Sequence, residues 1–206
     1  MLRTPRPVVV PVAAALLVLA LCGAAAGCGG SDEAGTSTTS ADQPLGFREV
    51  SAATIEPGDA VPAPTDPVVL TVKGRIGATN VGDTLQFDMA TLERLGTIEY
   101  RIDDKLAEGR VATFTGVPLE NVLEVAEVDP DATTLATTAL NDYTVDIPVA
   151  DATKYPVMLA TAVDGQRMPV DRYGPVRVIY PYGAYGLEPP VADEKLIWQL
   201  SSIEVR

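Results

Sequence analysis

Beyond residue 66, apolar and polar side chains mostly alternate, which is the pattern of half-buried β-strands. Leu70, Val72 and Ile76 would lie on one face of the first such strand, with polar residues between them on the other. The same period of two returns in three further stretches, which are 143–147, 176–180 and 198–205. We therefore predict a domain in which β-strands predominate.

The last of these stretches changes its parity partway. Trp198 and Leu200 share one face, whereas Ile203 and Val205 fall on the opposite face. A β-bulge at 201–202 would turn both pairs towards the core, because a bulge inserts one extra residue into a strand.

Helical signals are short and few. Asp88 is placed to cap a helix over 89–95 that Gly96 would end. Pro118 is placed to open a second helix over 119–126, which carries an apolar stripe. Strands with a few short helices predict an α+β fold built on a mixed or antiparallel sheet.

The first 27 residues have the layout of a secretory signal. Arg3 and Arg6 precede an uncharged run over 8–26, and small residues then lead to Cys28. A cysteine in this position resembles a bacterial lipobox, which implies cleavage before Cys28 and lipid on its sulfur and nitrogen. We expect a protein anchored by lipid on the extracytoplasmic side of the cell membrane. The alternative is that 8–26 remains as a membrane-spanning helix.

Residues 28–66 follow as the lipidated cysteine and a stretch rich in small and polar residues. Such a composition buries too little apolar surface to offset its ordering entropy, so we predict a flexible tether. The alternative is that 47–55 docks on the domain as an extra strand. The remaining residues, 67–206, are enough for one domain with a sizeable core.

Charge and composition narrow the function. The chain has 15 Lys and Arg against 28 Asp and Glu, a net charge of −13, and no histidine. Histidine-based triads and histidine-ligated metals are thereby excluded. The negative charge would repel phosphate backbones, so we expect no nucleic-acid partner.

The stretch 172–186 is the richest in candidate binding groups, since it holds four of the seven tyrosines and two arginines. Arg172, Tyr173 and Arg177 could grip a planar anionic ligand, because arginine pairs with phosphate or carboxylate and tyrosine offers a flat face. Asp142 and Tyr143 form a second candidate. For each residue alone, packing or a hairpin turn is the simpler interpretation.

Five segments, in their order along the chain, resemble the sulfite-oxidase-type molybdopterin-binding oxidoreductase domain, and most of all its small, single-domain, exported members. These segments are 114–119, 140–143, 164–169, 173–177 and 196–198. The resemblance implies an α+β fold with a strongly curved sheet. It also implies molybdopterin or another pterin as cofactor, with molybdenum held in catalytic members by the pterin and one protein cysteine.

Two departures from the family bear on function. The cysteine ligand would fall within 99–111, where this chain has none, and Tyr173 stands where fuller members have histidine. Arg177 matches the family arginine that contacts the pterin. We therefore expect no metal held by the protein, and an accessory module that binds a pterin-like ligand or an envelope protein partner through Asp142, Tyr143, Arg172, Tyr173 and Arg177. The alternatives are an oxidoreductase whose metal lacks a thiolate and a structural envelope lipoprotein.

Overall fold

A computed structural model describes residues 46–104, 110–181, 185–187 and 195–206, all of which belong to one compact unit over 40–206. The predicted signal, Cys28 and the first part of the predicted tether lie outside these residues. Within them no helix is long and apolar enough to cross a bilayer.

The described residues form eleven strands and three α-helices. In chain order the strands are β1 Arg48–Ser51, β2 Val68–Gly74, β3 Leu85–Asp88, β4 Thr97–Asp104, β5 Arg110–Pro118, β6 Thr134–Ala139, β7 Thr144–Pro148, β8 Met158–Val163, β9 Gln166–Arg167, β10 Arg177–Ile179 and β11 Leu200–Val205. The helices are α1 Met89–Glu93, α2 Leu119–Val125 and α3 Val149–Lys154.

The strands make two sheets. The first is antiparallel, with the order β1-β4-β5-β8-β10 and β9 paired to β8. The second has the order β3-β2-β11-β6-β7 and is mixed, because β11 runs parallel to β2 and antiparallel to β6. The predicted α+β class with mixed and antiparallel pairing is confirmed.

The final strand contains the predicted bulge. Its register against β6 shifts between Leu200 and Ser202, and Leu200, Ile203 and Val205 are all buried. Trp198 is different from the expectation: it lies before the strand begins and is 40% exposed. The left-handed backbone of Gln199, with φ of 54°, separates Trp198 from the pleat of β11.

Both predicted helices are present. Asp88 caps α1 by accepting a hydrogen bond from the Thr91 amide, and Gly96 has the left-handed φ of 88° that suits a chain leaving a helix. Pro118 directly precedes α2, whose apolar stripe is buried. The third helix, α3, was not predicted.

The first sheet is covered by apolar side chains on both faces. Val178 belongs to the main core, which joins the two sheets to α1 and α2, whereas its neighbour Ile179 belongs to a smaller cluster on the opposite face. Phe114 and Met158 also lie in that smaller cluster. A sheet buried on both faces produces nearly continuous apolar sequence, as in 176–180.

Part of the predicted tether is packed on the domain where the structure describes it. Strand β1 pairs with β4, and Ile55 is buried in the main core. The amides of Thr54 and Ile55 both donate to the carbonyl oxygen of Arg94. Residues 46–66 are therefore packed on the domain, as in the alternative with a docked strand.

Candidate functional site

Arg172, Tyr173 and Arg177 lie on one short connection and the strand that follows it. Val170–Arg172 form a single turn of 3-10 helix, and Tyr173 follows in the left-handed region with φ of 69°. A side chain at Gly174 would overlap the carbonyl oxygen of Met168, so only glycine fits there. This close approach fixes the path of the chain into β10 and hence the place of Arg177.

Arg177 is the centre of this group and is only 2% exposed. Its guanidinium carbon lies 5.3 Å from the centroid of the Phe114 ring and 5.8 Å from that of Tyr173. A guanidinium at these distances from aromatic rings gains cation–π energy. The family arginine is thus held between two rings and shielded from solvent.

Tyr173 forms the outer wall of this site. Its ring centroid is 4.8 Å from that of Trp198, with an angle of 62° between the planes, and the two residues are 37% and 40% exposed. The amide of Gln199 donates to the carbonyl oxygen of Tyr173 at 3.0 Å. The Tyr173–Trp198 pair is therefore partly exposed, and its Tyr173 ring lies next to the Arg177 guanidinium.

Asp142 and Tyr143 lie on the hairpin that joins β6 to β7. Asp142 has the positive φ of a tight turn, and the Tyr143 side chain is 57% exposed although it was expected to share the buried face of Val145. The backbone of this hairpin reaches the site, because the Leu140 amide donates to the Gln199 carbonyl.

In the described part of the chain, the backbone of Gln199 links the two groups of predicted residues. Among the described residues, the side chains of Asp142 and Tyr143 make no hydrogen bond to Arg172, Tyr173 or Arg177. In the structure, Asp142 and Tyr143 lie on a hairpin turn, which was the simpler interpretation of these two residues. It brings Tyr173 and Arg177 together and leaves the Arg172 side chain exposed.

Phe114 and Trp198 complete this site, and neither was a predicted ligand-binding residue, although both lie in the segments that carry the family resemblance. Phe114 reaches this site because its strand, β5, pairs with β8 and so lies two strands from β10. The sequence could not show this, because periodicity does not reveal which strands pair.

A second polar cluster, also unpredicted, lies beside the main core. The Tyr180 hydroxyl donates to Asp151 at 2.8 Å, and Lys195 Nζ lies 2.6 Å from the same carboxylate oxygen. Buried polar groups in cores are ordinarily satisfied in this way. These contacts tie α3 to two residues that follow β10, the last strand of the first sheet.

A further network links α1 to the first sheet. Glu93 accepts hydrogen bonds from the Arg167 guanidinium on both oxygens and from the Thr161 hydroxyl. Burial raises the pKa of Glu93, but the hydrogen bonds and charge of Arg167 and the bond from Thr161 outweigh it, so the pKa lies below its usual value. The network therefore stabilises the ionised carboxylate and connects α1 to β8 and β9.

Soft metal donors are scarce in this chain. Its cysteines are residues 22 and 28, and it has no histidine. Within the described residues, no group of three or more Asp, Glu, Cys or His side chains could hold a metal ion. The guanidinium of Arg177 is a group that can pair with an anion, and the Tyr173 and Trp198 rings offer flat faces.

Comparison with known proteins identifies the family of the domain. A family model described as the oxidoreductase molybdopterin binding domain matches residues 75–188. Among solved structures, the sulfane dehydrogenase SoxCD from Paracoccus pantotrophus is similar in fold, with a TM-score of 0.50 and 17% sequence identity over 66% of this chain. The match spans 37% of that chain, so this protein corresponds to a part of it. No curated protein matches significantly.

Proposed function

Because the chain belongs to the oxidoreductase molybdopterin-binding domain family, we propose that it is an accessory binding module on this fold. Its ligand site would be the aromatic enclosure around Arg177. Lipid on Cys28 would hold it to the extracytoplasmic face of the cell membrane. Molybdopterin or a related pterin is the ligand class that the family implies.

The observation that carries the accessory role is the donor set. A soft thiolate ligand helps to fix the geometry and electronic properties of a redox metal. If the signal is removed before Cys28 and that sulfur is acylated, no thiolate remains in the chain. Molybdenum bound by the protein does not fit these residues, and we propose no redox step.

The geometry around Arg177 supports binding of a planar anion. The guanidinium can pair with a phosphate or carboxylate, and the partly exposed Trp198 ring beside Tyr173 can stack on a pterin. Tyr173 covers the guanidinium in this structure and is itself 37% exposed. Entry of a ligand would therefore require the Tyr173 side chain to rotate towards solvent.

The ligand and the metal are tested together on protein purified from its native host. Molybdenum is measured by mass spectrometry and pterin by fluorescence after oxidation. We expect pterin without stoichiometric molybdenum. One molybdenum atom per chain, together with oxygen-atom transfer to or from a small substrate, would overturn the proposal and favour an oxidoreductase with a non-thiolate metal.

Variants test the position of the site. Tyr173→Ala removes the cover, so we expect it to increase the rate of pterin association measured by fluorescence. Tyr143→Ala is the matched control, since Tyr143 is also an exposed tyrosine but has no contact with the Arg177 site in the described part of the chain. Pterin binding that Arg177→Ala leaves unchanged, in protein that remains folded, would refute the assignment.

The enclosure of Arg177 also favours a second candidate, a structural envelope lipoprotein whose old pocket is filled by its own side chains. This candidate predicts neither pterin nor metal in the native material. It also predicts that Tyr173→Ala gains no affinity for added pterin.

The anchor is tested separately by fractionation. Cys28→Ser should move the protein from the membrane to the soluble fraction, because the acyl chains supply the membrane affinity. Cys22→Ser is the control and should stay on the membrane. Retention of the Cys28→Ser protein would contradict lipidation at this residue.

A further inference from the structure

A cleft of about 360 Å³ opens between β1, the start of α2 and the residues that follow α3. None of the five predicted ligand-binding residues lines it. Clefts of this volume are large enough for a small organic ligand. The cleft is therefore a second candidate site, lined by residues other than the predicted ligand-binding ones.

Two tyrosines form one wall of this cleft. The ring centroids of Tyr155 and Tyr185 are 5.9 Å apart, and the planes are nearly perpendicular at 85°. The face of Tyr155 already carries a cation, because Lys154 Nζ lies 4.9 Å from its centroid. An ammonium group is therefore compatible with this wall.

Two carboxylates line the other side. Glu49 of β1 lines the cleft together with Phe47 and Ser51. Glu120 lies in the first turn of α2. Within the described residues neither carboxylate makes an ion pair, whereas the lining contains a single cation, Lys154. The side-chain charge of the lining is thus −2 + 1 = −1.

Glu120 is the carboxylate that a cation would stabilise most. Burial, and then the charge of Glu124, raise its pKa above the usual value. A positive charge bound nearby would offset both effects, because an opposite charge favours the ionised carboxylate.

We propose that this cleft binds a small organic ammonium ion, with the cation between Glu120 and the Tyr155 ring and its aliphatic part against the apolar lining residues Phe47, Ile98 and Val157. Aromatic faces and carboxylates together are the groups that recognise such cations. Lys154 competes for the same ring. Since Lys154 is on the exposed end of α3, it can turn away when a ligand binds.

Calorimetric titration of the purified protein with choline chloride tests the proposal. The matched probe is 3,3-dimethylbutan-1-ol, which has the same shape without the charge. We expect choline to bind at least about fivefold more tightly, the effect of one cation–π contact. Equal affinity of the two probes, or no binding of choline, would overturn the proposal.

Variants distinguish this site from a general attraction to an acidic protein. Glu120→Gln should weaken choline binding about fivefold, since it removes a facing charge and keeps the shape. Glu124→Gln removes the same charge from an exposed position on α2 that does not line the cleft, so it should change affinity by less than about twofold. Equal effects of the two variants would refute the position.

Lys154→Ala gives a result of the opposite sign. It removes a like charge and frees the Tyr155 ring, so we expect tighter binding of choline. Weaker binding would contradict the proposed competition. Sedimentation with phosphatidylcholine vesicles without any response to free choline would show that a lipid surface is bound, and this would overturn the free-ligand assignment.

Discussion

Asp88 ties the start of α1 to the segment that the sequence analysis assigned to a tether, and its removal should destabilise the domain. One carboxylate oxygen accepts from the Thr91 amide at 2.8 Å. The other accepts from the amides of Thr65 at 3.0 Å and Asp66 at 3.4 Å. Asp88→Asn has one acceptor oxygen in place of two, so it cannot keep both sets of bonds.

The magnitude follows from the bonds and from the pKa. Loss of a helix cap costs about 1 kcal/mol, and a shielded amide left without a partner costs about 1–3 kcal/mol. Hydrogen bonds, first from the Thr91 side chain and amide, lower the pKa of Asp88 from 3.8 to about 2. A shift of that size is worth at most about 2.4 kcal/mol. We expect Asp88→Asn to cost about 2 kcal/mol.

The pH dependence has a definite sign. Because the pKa of Asp88 is lower in the folded state, the stabilisation is complete above the unfolded pKa of 3.8 and is lost as the pH falls towards 2. Urea unfolding, followed by the fluorescence of Trp198, should show the difference between wild type and Asp88→Asn at pH 7 and little difference near pH 2. Asp83→Asn is the control, since it removes the same charge from an exposed turn. If the free energy of unfolding of Asp88→Asn lay within about 0.5 kcal/mol of that of Asp83→Asn, the reasoning would be refuted.

Three further changes test the packing. Gly116→Ala should cost about 2 kcal/mol or more in urea unfolding, because a Cβ there would overlap the Leu159 carbonyl; a cost below about 0.5 kcal/mol would mean that β5 and β8 lie farther apart. Arg167→Lys should cost only about 0.5–1 kcal/mol, since it keeps the charge near Glu93 on a half-exposed side chain but loses the two-pronged pairing; a loss above about 2 kcal/mol would contradict this. Ile55→Ala should cost about 2–4 kcal/mol and speed proteolysis within 46–66, and unchanged cleavage would show that this segment is not held by its buried residue.

Local signals in the sequence were enough for several elements of this fold. The cap at Asp88, the opening of α2 by Pro118 and the bulge after Leu200 each depend on a few neighbouring residues, and each is present. Hydrophobic periodicity identified four of the eleven described strands, β2, β7, β10 and β11, for the same reason, since it depends on the pleat alone.

The same local signals could not predict which strands pair when they are far apart in the sequence. The docking of β1 depends on the edge that β4 offers, so four exposed residues could only suggest it as an alternative to a tether. Arg177 was expected to reach a ligand, yet it is buried because β10 is covered on both faces. The run of apolar neighbours over 176–180 was the available signal, since strands buried on both faces lose their alternation.

Under the proposed function, the family fold persists here without a thiolate ligand. The main core joins both sheets through apolar side chains, so the stability of the fold does not depend on one metal-ligating cysteine. Arg177 is different, because it is buried next to the rings of Phe114 and Tyr173, and its replacement should change packing as well as the proposed ligand binding. Under this proposal the fold and the anion-binding group are coupled in the domain, whereas a metal ligand is separable from both.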